Sequence, residues 1–202
     1  MTRIVIVEDH AAIAEGLAAL LAGEGIEVVG VASTAGRAEP LIRDQRPDVV
    51  LCDVMLGGRD AGFDLLARLK DVSRFLMLSA YDYPAHHARA VGAGAAGYLS
   101  KMVDAAGLLA AVRAVAAGKT GFDETVLESA RRAPRAPTPR EREMLRELAG
   151  GATNDEIALR LGISVKTVEG MIRRLFERYG VSNRTELARL ANRQGWLTSE
   201  AG

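Results

Sequence analysis

The sequence predicts an α/β domain on a five-stranded, parallel, doubly wound sheet, followed by a smaller all-α domain of four helices. Three observations carry this. Apolar, strand-like runs at 3–7, 26–31, 48–52, 74–79 and 96–99 alternate with segments of helical spacing such as Ile13, Leu17, Leu20 and Leu21, so residues 1–118 read as a fivefold β-α repeat. The stretch RRAPRAPTPRE then reads as an extended connector within a linker at 119–137, with a short helical piece from Glu124 to Ala130. From residue 138 onward apolar positions recur only at helical spacing, behind capping residues.

A chain of 202 residues can bury two modest cores. Its single cysteine, Cys52, follows Val49-Val50-Leu51 and reads as a buried strand residue of a reducing compartment. No basic leader precedes an apolar segment, and the most apolar later stretch, Leu108 to Ala117, is broken by Arg113, so a soluble cytoplasmic protein without membrane contact is expected. The net charge of zero hides an asymmetry: residues 1–118 hold 11 Lys+Arg against 14 Asp+Glu, and residues 138–202 hold 11 against 9. The placement of these cations decides more than their surplus.

The first strand, Ile4-Val5-Ile6-Val7, is β-branched throughout, as suits a strand covered on both faces, and ends on adjacent acids Glu8 and Asp9. The third run ends VVLCD on Asp53, the fourth on Ser79, and Lys101 follows the fifth in GYLSK. Right-handed crossovers gather such strand ends into one crevice at the carboxyl edge of the sheet. Three carboxylates there call for a cation, and hard oxygen donors favour Mg²⁺. Asp53 can then attack a phosphoryl group whose oxygens face the metal, the Ser79 hydroxyl and the Lys101 ammonium, giving an aspartyl phosphate.

These residues, each at a strand end and in this order, resemble the receiver domain of bacterial two-component response regulators, whose fold is flavodoxin-like. The resemblance covers residues 1–118. It implies that Glu8 and Asp9 are the acidic pair, Asp53 the phosphoacceptor, Ser79 and Tyr98 the switch residues, Lys101 the site lysine, and the Met55 backbone carbonyl a further metal ligand. It also implies a sensor histidine kinase as phosphodonor. Two departures stand out. Gly57 occupies the position four after Asp53 where the family usually has proline, and Gly62 comes one residue late. Met102 replaces the proline that usually follows the lysine, so no cis bond is expected there. Met55 and Tyr81 flank the site with enough bulk to hinder water, which suggests a phosphorylated lifetime of minutes or longer. His86 and His87 point about 100° apart on a helix and cannot clamp one metal, so they read as solvated or packing residues.

In the last domain Thr138-Pro-Arg-Glu141, Thr153-Asn-Asp-Glu156 and Asn183-Arg-Thr-Glu186 fit or approach the capping box, and Ser164 caps a fourth helix. In EIALRLGISVKTVEGMIRRLF one helix ends at Leu161, Gly162 turns the chain, and a second helix carries Lys166, Thr167, Glu169, Gly170, Arg173 and Arg174 outward. This is a helix-turn-helix. Lys166, Thr167 and Arg174 suit phosphates of double-stranded DNA, while Glu169, Gly170 and Arg173 fall where base edges are read. TPREREML, ATNDEIALRLGISVKTVE and YGVSNRTELARLA resemble the LuxR-type DNA-binding domain, so the chain resembles a NarL/FixJ-type response regulator. That resemblance implies a homodimer on paired half-sites, with Leu187, Leu190 and Ala191 as partner surface, and RNA polymerase as a further partner. Two other readings stay open: a DNA binder indifferent to phosphorylation, and a phosphatase-type enzyme using Asp53. The second would want an acid where Met55 stands.

Overall fold

The computed structural model of the chain describes residues 1–58, 60–80 and 84–197, with side chains throughout except that of Arg193. Two units emerge, Met1–Ala133 and Pro134–Gly202.

In the first unit β1 (Arg3–Val7), β2 (Glu27–Ala32), β3 (Val49–Asp53), β4 (Arg74–Ser79) and β5 (Gly97–Ser100) form one sheet in the order β2-β1-β3-β4-β5. Every pairing is parallel. Between them run α1 (Ala11–Gly23), α2 (Ala35–Gln45), α3 (Ala61–Leu69) and α4 (Pro84–Ala93), with α5 (Ala105–Ala116) after β5. Side-chain alternation splits each strand between two cores: Val5, Val7, Val50, Cys52, Phe75 and Met77 on one face, Ile4, Ile6, Val49, Leu51, Leu76 and Leu78 on the other. That double burial is why these strands are apolar without a break. Cys52 is one more apolar filler, and burial pushes its thiol pKa far above the ordinary value.

The chain after α5 corrects the expected linker. Gly121 forms a parallel bridge with Gly97, and its N–H donates to the Ala96 carbonyl at 2.8 Å. Phe122 and Val126 pack on the same core as Tyr98, and α6 (Glu124–Arg132), capped by Asp123, lies along α4. Residues 119–133 therefore belong to the first unit. The apolar side chains at 122 and 126 had surface to cover, and the true connector begins beyond α6.

In the second unit α7 (Pro139–Ala149), α8 (Asn154–Leu161), α9 (Val165–Tyr179) and α10 (Arg184–Arg193) surround a single core of Met144, Leu145, Leu148, Ile157, Val168, Ile172, Leu175 and neighbours. All four expected caps form. Thr138 and Thr153 make complete capping boxes with Glu141 and Glu156, and the Ser164 and Asn183 side chains accept from Thr167 and Glu186 N–H. Leu187 and Ala191 correct the expected partner surface. Both are fully buried in this core, Leu190 being only partly so, because the apolar stripe of α10 is needed to close its own small domain. Among the described residues no helix is long and apolar enough to cross a membrane.

Candidate functional site

The first site lies at the carboxyl edge of the sheet. Backbone bonds continue the ladder past the strand ends: Glu8 N–H to Ala32 O at 3.0 Å, Val54 N–H to Leu78 O at 2.8 Å, Lys101 N–H to Ser79 O at 2.7 Å. Because β1 and β3 pair in register through Val7 and Cys52, Glu8 and Asp53 come out side by side. Lys101 arrives from β5, on the other side of β4, and its long stem carries the ammonium across. Its Nζ lies 2.7 Å from Asp53 Oδ2 and 2.6 Å from Glu8 Oε2. The sequence-predicted Glu8, Asp9, Asp53 and Lys101 are thus brought together. Ser79 is fully buried one residue past the Asp53 partner Leu78.

The charges are unbalanced. Burial pushes the Asp53 carboxyl above its ordinary range, and the Lys101 ammonium and the Met55 N–H, 3.1 Å from Asp53 Oδ1, only partly offset it. Burial also works against charge on Lys101, yet Asp53 and Glu8 together hold its pKa up. At Asp9 burial is outweighed by the Gly57 N–H, 2.8 Å from Oδ2, and by His10, so its carboxyl stays below the ordinary range.

Gly57 explains the first loop departure. It stands at φ 60° and Gly58 at φ 73°, left-handed conformations open to glycine, whereas proline is locked near −65° and has no N–H to give Asp9. Gly62 lies hard against the end of β3: a Cβ there would sit 2.1 Å from the Asp53 carbonyl oxygen. The Lys101–Met102 bond is trans, as the absence of proline suggests.

Three participants were not foreseen. His10 Nδ1 lies 3.1 Å from Glu8 Oε1 and 3.0 Å from Asp9 Oδ1; its place directly after the acidic pair was the available signal. The Gly57 amide and the buried Asp60, paired with Arg89 of α4 at 2.6 Å, depend on long-range geometry that no local pattern announces. His86 and His87 are both buried, His86 edge-on to Phe63 and His87 edge-on to Tyr98, so of the expected readings packing is the one realised. Tyr98 itself is fully buried. Met55 is half-buried beside Asp53, and Tyr81 lies outside the described residues.

Glu8, Asp9, His10 and Asp53 each offer a ligand atom, all within 4.8 Å of one another. Three hard carboxylates on a pocket whose lysine leaves Asp53 short of positive charge are a donor set that fits Mg²⁺.

The second site is the face of α9. Gly162, at φ 63°, turns the chain out of α8 and Ser164 starts α9. Lys166, Thr167, Glu169, Arg173 and Arg174 are exposed on one side, Gly170 partly so, and Val168, Met171, Ile172 and Leu175 face the core. The Thr167 hydroxyl lies 2.8 Å from Ser164 Oγ and takes part in the cap. Arg174 Nη1 hangs over Gly170, 3.5 Å from where a Cβ would stand.

A carboxylate pocket on a doubly wound sheet, followed along the chain by a helix-turn-helix with a cationic outer face, defines a two-part regulator that acts on DNA. Residues 4–113 match the response regulator receiver domain, and residues 138–191 match the bacterial regulatory proteins of the luxR family. The chain is 32% identical to the transcriptional regulatory protein DesR of Bacillus subtilis (strain 168), over 98% of this chain and 100% of that one. It is 36% identical to the transcriptional regulatory protein UhpA of Escherichia coli (strain K12), over 94% and 97%. Among solved structures, RcsB from Salmonella enterica serovar Typhimurium bound to promoter rprA shares the fold, with a TM-score of 0.70 at 24% identity over 98% of this chain and 100% of that one. This chain belongs to the response regulator family and is a DNA-binding transcriptional regulator of a two-component system.

Proposed function

We propose that the chain accepts a phosphoryl group from a sensor histidine kinase onto Asp53, and that this acyl phosphate governs the α9 unit's action on DNA. The observation that carries the reading is the Lys101 ammonium, 2.7 Å from the buried Asp53 and 2.6 Å from Glu8. An Asp53 oxygen forms the new P–O bond as the P–N bond to the donor histidine breaks. Lys101 exchanges a carboxylate partner for a phosphoryl oxygen, and the Ser79 hydroxyl takes another. Glu8, Asp9, Asp53 and the Met55 carbonyl would hold Mg²⁺, which when bound supplies positive charge to the same oxygens. The chemistry is confined to the chain's own phosphorylation and dephosphorylation, since the residue two after Asp53 is Met55 and no second acid stands there to turn over substrates. The bulk of Met55 hinders water, so the phosphorylated form lives for minutes or longer, as the decay of intact mass would register.

On this reading Tyr98 and Ser79 form the switch, and Lys166, Thr167 and Arg174 meet phosphates while Glu169, Gly170 and Arg173 lie against base edges. The active form is a homodimer on paired half-sites in the cytoplasm, in reach of RNA polymerase. Incubation with acetyl phosphate and Mg²⁺ tests the chemistry: the intact mass of the wild type gains one phosphate, Asp53→Asn gains none, and Lys101→Met gains far less. Equal labelling of Asp53→Asn would refute it.

A further inference from the structure

α4 is buried on more than one side. His86 reaches Phe63 of α3, Ala90 lies in the sheet core, and α6 covers the outside. His87 stands at the join. It is 4% exposed, and its ring meets Tyr98 edge-on with 4.8 Å between centroids. The helix that carries it packs along α6. The Asp123 side chain caps α6 through the Thr125 and Val126 N–H groups at 2.7 and 3.1 Å. The Asp123 carboxyl is held below its ordinary range first by its hydrogen bond from Thr125, against some burial, with the Val126 and Thr125 N–H groups and, last, His87 adding to the lowering. The backbone just before Asp123 is itself bridged, at Gly121, to Gly97, the residue preceding Tyr98.

We propose that His87 is the positioning residue that transmits the state of Tyr98 to the N-terminus of α6, the last helix before the DNA-binding unit. The inference rests on the phosphoswitch reading above. Its physical content is steric and electrostatic together. A ring packed edge-on against Tyr98 cannot keep its place if Tyr98 turns, and its displacement changes the field at the Asp123 cap. The bridged backbone at Gly121 and the packed Phe122 leave the start of α6 little freedom to ignore that change. α6 ends at Arg132, and the second unit begins at Pro134, so a shift or loosening of this helix is inherited by the chain that leads to α7.

Hydrogen exchange of the full-length chain with and without beryllofluoride and Mg²⁺, paired with affinity for a pool of double-stranded DNA fragments, tests it. In the wild type beryllofluoride is expected to alter exchange both around residues 53–57 and along 121–132, and to tighten DNA binding by a factor in the usual allosteric range of about 5 to 150. His87→Phe keeps a ring against Tyr98 but loses the imidazole's polar nitrogens. It is expected to retain the response at 53–57 and to lose both the α6 response and the DNA gain, the ratio falling to about one. Asp123→Asn, which still caps a helix, is expected to do the same. This exposed position decides the matter if His87→Phe fails to respond at 53–57. Wild-type coupling in both variants overturns the role of His87 while leaving the phosphoswitch standing. A wild type that responds at 53–57 but shows neither the α6 change nor the DNA gain overturns the switch and the role of His87 with it.

Discussion

At Gly62 there is no room for a methyl group, because its Cβ would lie 2.1 Å from the carbonyl oxygen of Asp53. Gly62→Ala should therefore push the Asp53 backbone out of line, lowering stability by about 1–3 kcal/mol and lowering phosphate uptake further still; denaturation and intact mass measure the two. The acidic strand ends were legible at this scale, since Glu8, Asp9 and Asp53 each terminate a continuous β-branched or apolar run. The loop beyond Asp53 was legible only as a departure. That Gly57 uses its left-handed φ to aim an N–H at Asp9 is a fact of tertiary placement, because the acceptor comes from another strand end 48 residues away. Gly170 is a milder case. A Cβ there would meet only Arg174 Nη1, at 3.5 Å, so Gly170→Ala should stabilise α9 by about 1 kcal/mol without displacing the helix. Thermal melting of the full chain would show it.

Among the elements, α7 and α9 are joined by Glu141, which completes the Thr138 capping box and receives both Arg178 Nη atoms at 2.9 and 3.0 Å. Burial disfavours the charged Glu141, but Arg178 and the Thr138 N–H outweigh it and hold the carboxyl below its ordinary 4.5. A depressed carboxyl contributes stability that is complete above the unfolded value and is lost as pH falls through the folded one. Glu141→Gln should thus cost about 1–3 kcal/mol near neutrality, and the deficit should close on acidification below about pH 4.5. The single tryptophan, Trp196, against Tyr179 in the second unit, reports the transition by fluorescence. The caps that start these helices were readable in sequence because they depend on residues three apart. The function of an apolar stripe was not. Leu187, Leu190 and Ala191 share one face of α10, and spacing alone cannot tell a core from a partner surface. Since Leu187 and Ala191 are wholly buried, Leu187→Ala should lower stability by about 2–5 kcal/mol, read by denaturant unfolding, as a core truncation does. α6 was foreseen as a short helix but placed in the linker for a similar reason: arginine and proline after it suggested a tether, while Phe122 and Val126 anchored its start to the first core.

For the whole molecule the order of parts was the most legible property. Alternating apolar runs gave the parallel sheet, capped helical runs gave the second unit, and the pocket and the α9 face each followed from one of them. What no local pattern contained was the long-range packing inside the first unit, where His87 on Tyr98 and α6 along α4 join separate stretches of the chain. On the proposed function a phosphate on Asp53 controls the DNA-binding unit. The affinity of the full-length chain for a pool of double-stranded DNA fragments, measured before and after treatment with acetyl phosphate and Mg²⁺ alongside Asp53→Asn, tests it most directly. Binding is expected to tighten by about 5- to 150-fold in the wild type and to stay unchanged in the variant. Full phosphorylation of Asp53 with no change in DNA affinity would contradict it.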